Sequence, residues 1–234
     1  RSGEGAAEKV SIRGDWVRMD GLSADDEYVL GDLKSGQVYV VMPQDRTVLE
    51  LKSNGKPASM SSSDATLKKL GNGPAVAGFD TVEYELLVNG QGCGKTLVSE
   101  KAGDIADIQR LLKSLEQFDP AAMMPEGMGD MVASQVSACD RAQMSMQGKI
   151  ADLGMPMKST DAQGGVEQEV ISIDTQASLP ANLFTLPSDY QRTTPGAMIN
   201  DAMSQMQEMM KNVTPEQRQM MEQMMQQFGG QMPK

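Results

Sequence analysis

The chain has 234 residues, enough for one large or two small domains with a real core. Its 32 acidic against 21 basic residues give a net charge of -11, which repels phosphate backbones and anionic lipid headgroups and argues against nucleic acid or acidic membranes as partners. Histidine is absent, so a Ser-His-Asp triad, a Cys-His pair and a His-ligated zinc are excluded, while 21 methionines outnumber the aromatic residues, which make up 4%.

The first half reads as short strands. Val10, Ile12, Trp16 and Arg18 are assigned to one face of an extended segment and Val17 and Met19 to the other, with Gly14-Asp15 as a kink or bulge. Residues 37–42 are apolar on both faces, Pro43-Gln44-Asp45 makes a turn, and Thr47, Leu49 and Leu51 alternate again. Short strands with turn signals between them and no room for crossover helices predict a β-meander. Residues 53–73 are rich in Ser, Gly, Asn and Lys and read as a loop, with one helical turn at 66–70. Val82, Tyr84, Leu86 and Val88 then alternate up to Asn89-Gly90 and pass into a strand over 93–100. Asn-Gly between alternating runs is a hairpin signal, because both residues tolerate positive φ.

Helices follow. Asp104 is the expected N-cap of a helix carrying Ile105, Ile108, Leu111, Leu112, Leu115 and Phe118 on one stripe, stopped at Asp119-Pro120. A less regular helix is expected over 129–147, with Met131, Val132, Val136 and Cys139 inward. Strands return at 155–159 and 166–174, and 179–190 is extended and proline-punctuated.

From Pro195 the chain is rich in Met and Gln. It reads as two helices, residues 195–212 and a second with Thr214 as N-cap, Pro215 at its first position, Gln217 completing a capping box and a stop at Gly229-Gly230. No apolar run is long enough to span a bilayer. The polar opening Arg1-Ser2-Gly3-Glu4-Gly5 is no leader and fits either a cytosolic protein or one whose leader has been removed.

Few residues suggest chemistry. Asn89 to Thr96 looks like a phosphate-binding loop, but Asn stands where the pattern needs Gly, and Thr96 to Glu100 reads as strand where a helix must begin. The hairpin reading is preferred. No lysine or serine has a nucleophile's setting, and no catalytic residue, cofactor or metal ligand is assigned. Met203, Met206, Met209 and Met210 recur at helical spacing, as do Met220, Met221, Met224 and Met225. Such stripes form a deformable apolar surface for a partner, with Cu(I) ligation as the lesser alternative. Cys93 and Cys139 are buried thiols in a reducing compartment or one disulfide in an oxidising one.

Several segments occur in an order that resembles uncharacterised bacterial envelope proteins with the half-barrel fold of the lipoprotein carriers LolA and LolB. They are Ile12-Arg13-Gly14-Asp15-Trp16-Val17-Arg18-Met19-Asp20, Val38-Tyr39-Val40-Val41-Met42-Pro43 with Arg46-Thr47-Val48, and Ala77-Gly78-Phe79-Asp80-Thr81-Val82-Glu83-Tyr84. Gly154-Met155-Pro156-Met157 and then Leu179 to Pro187 with Tyr190 complete the set. The resemblance covers residues 10–190. It implies an exported, periplasmic or lipid-anchored protein, and with it the Cys93–Cys139 disulfide.

The expectation is an α+β chain: a flexible N-terminus over 1–9, a strongly curved antiparallel sheet with covering helices over 10–192, and a Met/Gln-rich helical appendage over 193–234. A sheet so curled needs its concave face filled by helices or by an apolar ligand. The first expected function is non-enzymatic binding of a lipid, acyl chain or lipoprotein. A chaperone-like interaction protein gripping a partner through the Met-rich helices is second, and copper handling third.

Overall fold

Gly14 takes φ +61° and Asp15 follows it, so the chain reverses in two residues and β1 (Lys9–Arg13) pairs antiparallel with β2 (Trp16–Asp20). The expected kink is therefore a hairpin. A glycine at the first central position, where φ must be positive, is what a tight two-residue turn requires. The computed structural model describes residues 7–21, 26–52, 65–115, 137–201 and 204.

The meander continues through β3 (Tyr28–Asp32), β4 (Gln37–Met42) and β5 (Thr47–Lys52). The β3–β4 turn is pinned by Asp32. Its carboxylate accepts the backbone N–H of Lys34 at 2.9 Å and the Ser35 hydroxyl at 2.6 Å, while Gly36 takes φ +69°.

A second sheet holds β6 (Ala65–Val76), β7 (Phe79–Val88), β8 (Gln91–Ser99), β9 (Met155–Thr160) and β10 (Val166–Glu169) in the order β10-β9-β8-β7-β6. Its two tight hairpins, Ala77-Gly78 and Asn89-Gly90, place both central residues at positive φ. The second is the expected hairpin. Residues 66–70 are strand, not a helical turn, because β6 pairs with β7 from Ala65↔Val88 to Val76↔Phe79. Residues 53–64 of the expected loop lie outside the described residues.

Ser99 ends β8 and caps α1 (Glu100–Gly103), its hydroxyl accepting the N–H of Ala102. Asp104 is not an N-cap. It sits at φ -74°, ψ -10° and closes α1 through its own N–H to the Glu100 carbonyl, and α2 (Ala106–Leu115) follows. α3 (Ala138–Leu153) begins later than expected, at a capping box in which Ser137 and Asp140 satisfy each other's backbone N–H groups. Phe118, Met131, Val132 and Val136 lie outside the described residues.

α3 lays Ala142 and Met146 over Ala65 and Leu86 of the second sheet, with Cys93 and Ile150 at the margin. A second cluster joins Val76, Leu97, Ala102 and Met157. Gly94 permits the β8–β9 approach: φ is +134°, and a Cβ there would lie 2.2 Å from the Thr160 carbonyl oxygen.

After β10 the chain runs through a 3-10 turn (Ala181–Phe184) into β11 (Gln191–Thr193), which adds in parallel to β5. The first sheet is thus β1-β2-β3-β4-β5-β11. The whole is α+β with two largely antiparallel sheets, few helices and no closed barrel among the described residues. The chain divides into two units, Arg1–Thr193 and Thr194–Lys234. In the second, Thr194 caps a helical segment over 195–201 by accepting the Ala197 N–H.

Candidate functional site

Strand alternation gives the six-stranded sheet two unlike faces. The register sets Val10 opposite Met19, Ile12 opposite Val17, Met19 opposite Val29, Val29 opposite Val40, Val38 opposite Leu51 and Val40 opposite Leu49. One face therefore carries Val10, Ile12, Val17, Met19, Val29, Val38, Val40, Met42, Leu49 and Leu51, with Gly31 among them. From β1 to β4 it has no polar side chain. On β5, Thr47 stands at its margin, its hydroxyl engaged by the Asp45 carbonyl. Val17 and Leu51 are buried, Val10 is 49% exposed, and the others are half-buried. α2 lies beside β1 and is tied to the Gly14-Asp15 turn by Arg110, 3.7 Å from Asp15.

This pattern corrects the expected grouping of side chains. Val10 and Ile12 share a face with Val17 and Met19, not with Trp16 and Arg18, because a two-residue turn pairs Ile12 with Val17. The strand that completes the face, β3, has no counterpart in the sequence reading. Its signal was the apolar pair Val29-Leu30 ahead of an Asp-led turn.

The opposite face is aromatic and polar. Trp16 stacks on Tyr39 with ring centroids 6.5 Å apart, and Arg18 lies over Tyr28 at 3.6 Å while bonding Asp20 at 2.7 Å. Burial pushes the Tyr28 hydroxyl above its usual pKa, against the opposing pull of Arg18. Residues 179–190 strap this face: Arg13 donates to the Leu179 carbonyl, Arg18 to the Leu183 carbonyl, and Phe184 is buried. Arg46 pairs with Asp189 and Arg192 with Glu50. Leu30, Val41 and Val48 on this face are fully buried.

Cys93 and Cys139 are joined by a disulfide that ties β8 to the first turn of α3. The phosphate-loop lookalike is hairpin and strand: Lys95 lies within β8 opposite Glu85, and its ammonium is 3.2 Å from Glu83. The strand runs on to Ser99, so no helix begins at Lys95 to supply anion-binding amides there. Beside it is a polar cleft of about 330 Å³ between Glu85, Lys95 and the 160–164 loop. Its Asp161 is engaged by the Gln163 and Gly165 N–H groups of its own loop. Met203, Met206, Met209, Met210, Met220, Met221, Met224 and Met225 lie outside the described residues.

Among the described residues no group of three or more Cys, Asp and Glu is placed to hold a metal, and no helix is long and apolar enough to cross a membrane. No curated protein and no solved structure matches the chain. The model of one family, described as a domain of unknown function (DUF4412), matches residues 6–190, from just before β1 to the residue before β11, and the chain belongs to that family.

Proposed function

We propose that the protein is a non-enzymatic periplasmic binding module that takes a lipid, an acyl chain or the acyl group of a lipoprotein on the apolar face of its six-stranded sheet. The observation that carries this reading is the makeup of that face: ten aliphatic or methionine side chains on five consecutive strands, uninterrupted by a charge. An antiparallel sheet packs its apolar face against a cover, and a hydrocarbon chain can supply one. The opposite face has its cover within the described residues, in the 179–190 strap. Among the described residues α2 lies beside the β1 margin of the apolar face, and a cargo chain is proposed as cover for the rest.

The resemblance of residues 10–190 to envelope proteins related to LolA and LolB supports the same reading. The physical payoff matches: each buried methylene of a cargo chain contributes about 0.8 kcal/mol. The Cys93–Cys139 disulfide fits an oxidising envelope compartment.

The test is native mass spectrometry of protein purified from a bacterial envelope fraction. A co-purifying adduct of lipid mass is expected, and it should be lost in the double variant Val40→Asp, Leu49→Asp. Protein that carries no adduct and binds no palmitoyl amphiphile when one is supplied would overturn the reading.

A further inference from the structure

A hydrocarbon chain lying along β1 to β5 carries its polar head out past one end of those strands, since they offer it no free donor or acceptor side chain on this face. At the end marked by Asp20, Tyr28 and Thr47, the flanking segments bring Glu8, Asp26, Glu27 and Asp45 against Lys9. Arg18 and Arg46 at that end are already paired, with Asp20 and Asp189. The local balance there is negative.

At the opposite end Asp15, Asp32 and Asp107 stand against Arg13, Lys34 and Arg110, in balance. Arg110 pairs with both Asp15 and Asp107, and Arg13 donates to the Leu179 carbonyl. Among the described residues neither end gathers the surplus of cations with which proteins hold a phosphate or carboxylate head, and the net charge of -11 adds a repulsive field.

We infer that the cargo carries no net negative charge: the face selects zwitterionic or cationic amphiphiles over anionic ones with the same chain. This rests on the cargo reading of the same face.

The probes are palmitoyl lysophosphatidylcholine and palmitoyl lysophosphatidylglycerol, each below its micelle concentration, titrated calorimetrically into the full chain. At low salt the choline form is expected to bind about fivefold tighter, the scale of one surface charge interaction, with the gap closing as salt screens the field. Val40→Asp should weaken both. Val10→Asp, at the exposed margin, should do the same if Val40→Asp fails to fold by circular dichroism. Equal affinities, or tighter binding of the glycerol form, with both still weakened by these variants, would overturn the charge selection and leave the cargo reading intact. Binding of neither probe would overturn the cargo reading, and the selection with it.

Discussion

The two faces of the six-stranded sheet share every strand and almost nothing else. On one, Trp16, Tyr28, Tyr39, Arg18 and Asp20 meet one another and a strap from the C-terminal part of the domain, and Leu30, Val41 and Val48 beneath are fully buried. On the other, ten apolar side chains line up with no polar group among them from β1 to β4, and most stay half-buried. Several polar groups on the aromatic face have a fixed partner: Arg13 and Arg18 donate to the Leu179 and Leu183 carbonyls, and Arg18 also pairs with Asp20. The apolar face makes no such demand on its cover. Directional contacts fix which partner the aromatic face takes, whereas the non-directional contacts of the apolar face are compatible with the hydrocarbon cargo proposed for it.

The comparison is open to attack by mutation. The largest effect is expected at the tie outside it, the Cys93–Cys139 disulfide, which closes a separation of 46 residues. Replacing both cysteines by serine should lower unfolding stability by about 4 kcal/mol, read by urea titration, since the freed chain regains loop entropy in the unfolded state. Loss of less than about 1 kcal/mol would mean that α3 is held by its packing alone.

Next comes a pair that sets the two faces side by side. Leu30→Ala, fully buried under the strap, should cost about 3 kcal/mol, whereas Val40→Ala on the half-buried apolar face should cost about 1 kcal/mol. Equal losses would contradict the distinction between a permanent core and an interaction face.

The smallest effect concerns the β3–β4 turn that holds both faces in register. Burial opposes ionisation of Asp32, but the Ser35 hydroxyl and the Lys34 and Ser35 N–H groups outweigh it and hold the carboxyl below its usual range. A carboxyl depressed on folding stabilises above its unfolded pKa and loses that contribution as pH falls through the folded value. Asp32→Ala should therefore cost under about 1 kcal/mol at pH 7. The difference from the parent should shrink as pH falls below the usual carboxylate range. A difference that stays constant through that range would show that the carboxylate charge is not what stabilises the turn.

How much of this was legible before folding depends on the range of the interactions involved. The Asn89-Gly90 hairpin is local: two residues that tolerate positive φ stand between two alternating runs. The Gly14-Asp15 turn carries a similar local signal, but a bulge accounts for the same residues, and only the pairing of Ile12 with Val17 decides which face Val10 and Ile12 join. β6 is opaque for another reason. Gly71, Asn72, Gly73 and Pro74 are poor strand formers, yet the strand holds because β7 pairs along it, with register shifts where the glycines fall. β11 is beyond local reading altogether, since Gln191 to Thr193 become a strand only by meeting Thr47 to Leu49, more than a hundred positions earlier. The apolar face was legible in part: β5 displays its alternation, while β3 and β4 are apolar on both sides, with Gly31 in β3, and hide the same period.

One face of this sheet is proposed as a cargo site and the other is not. The most direct test of that proposal is methyl NMR of isotope-labelled protein titrated with palmitoyl lysophosphatidylcholine below its micelle concentration. The methyl signals of Ile12, Val29, Val40 and Leu49 should shift with a common saturation curve, while those of Leu30, Val41 and Val48, on the same strands but the other face, should hold still. Shifts confined to Leu30, Val41 and Val48, or no shift on either face, would contradict it.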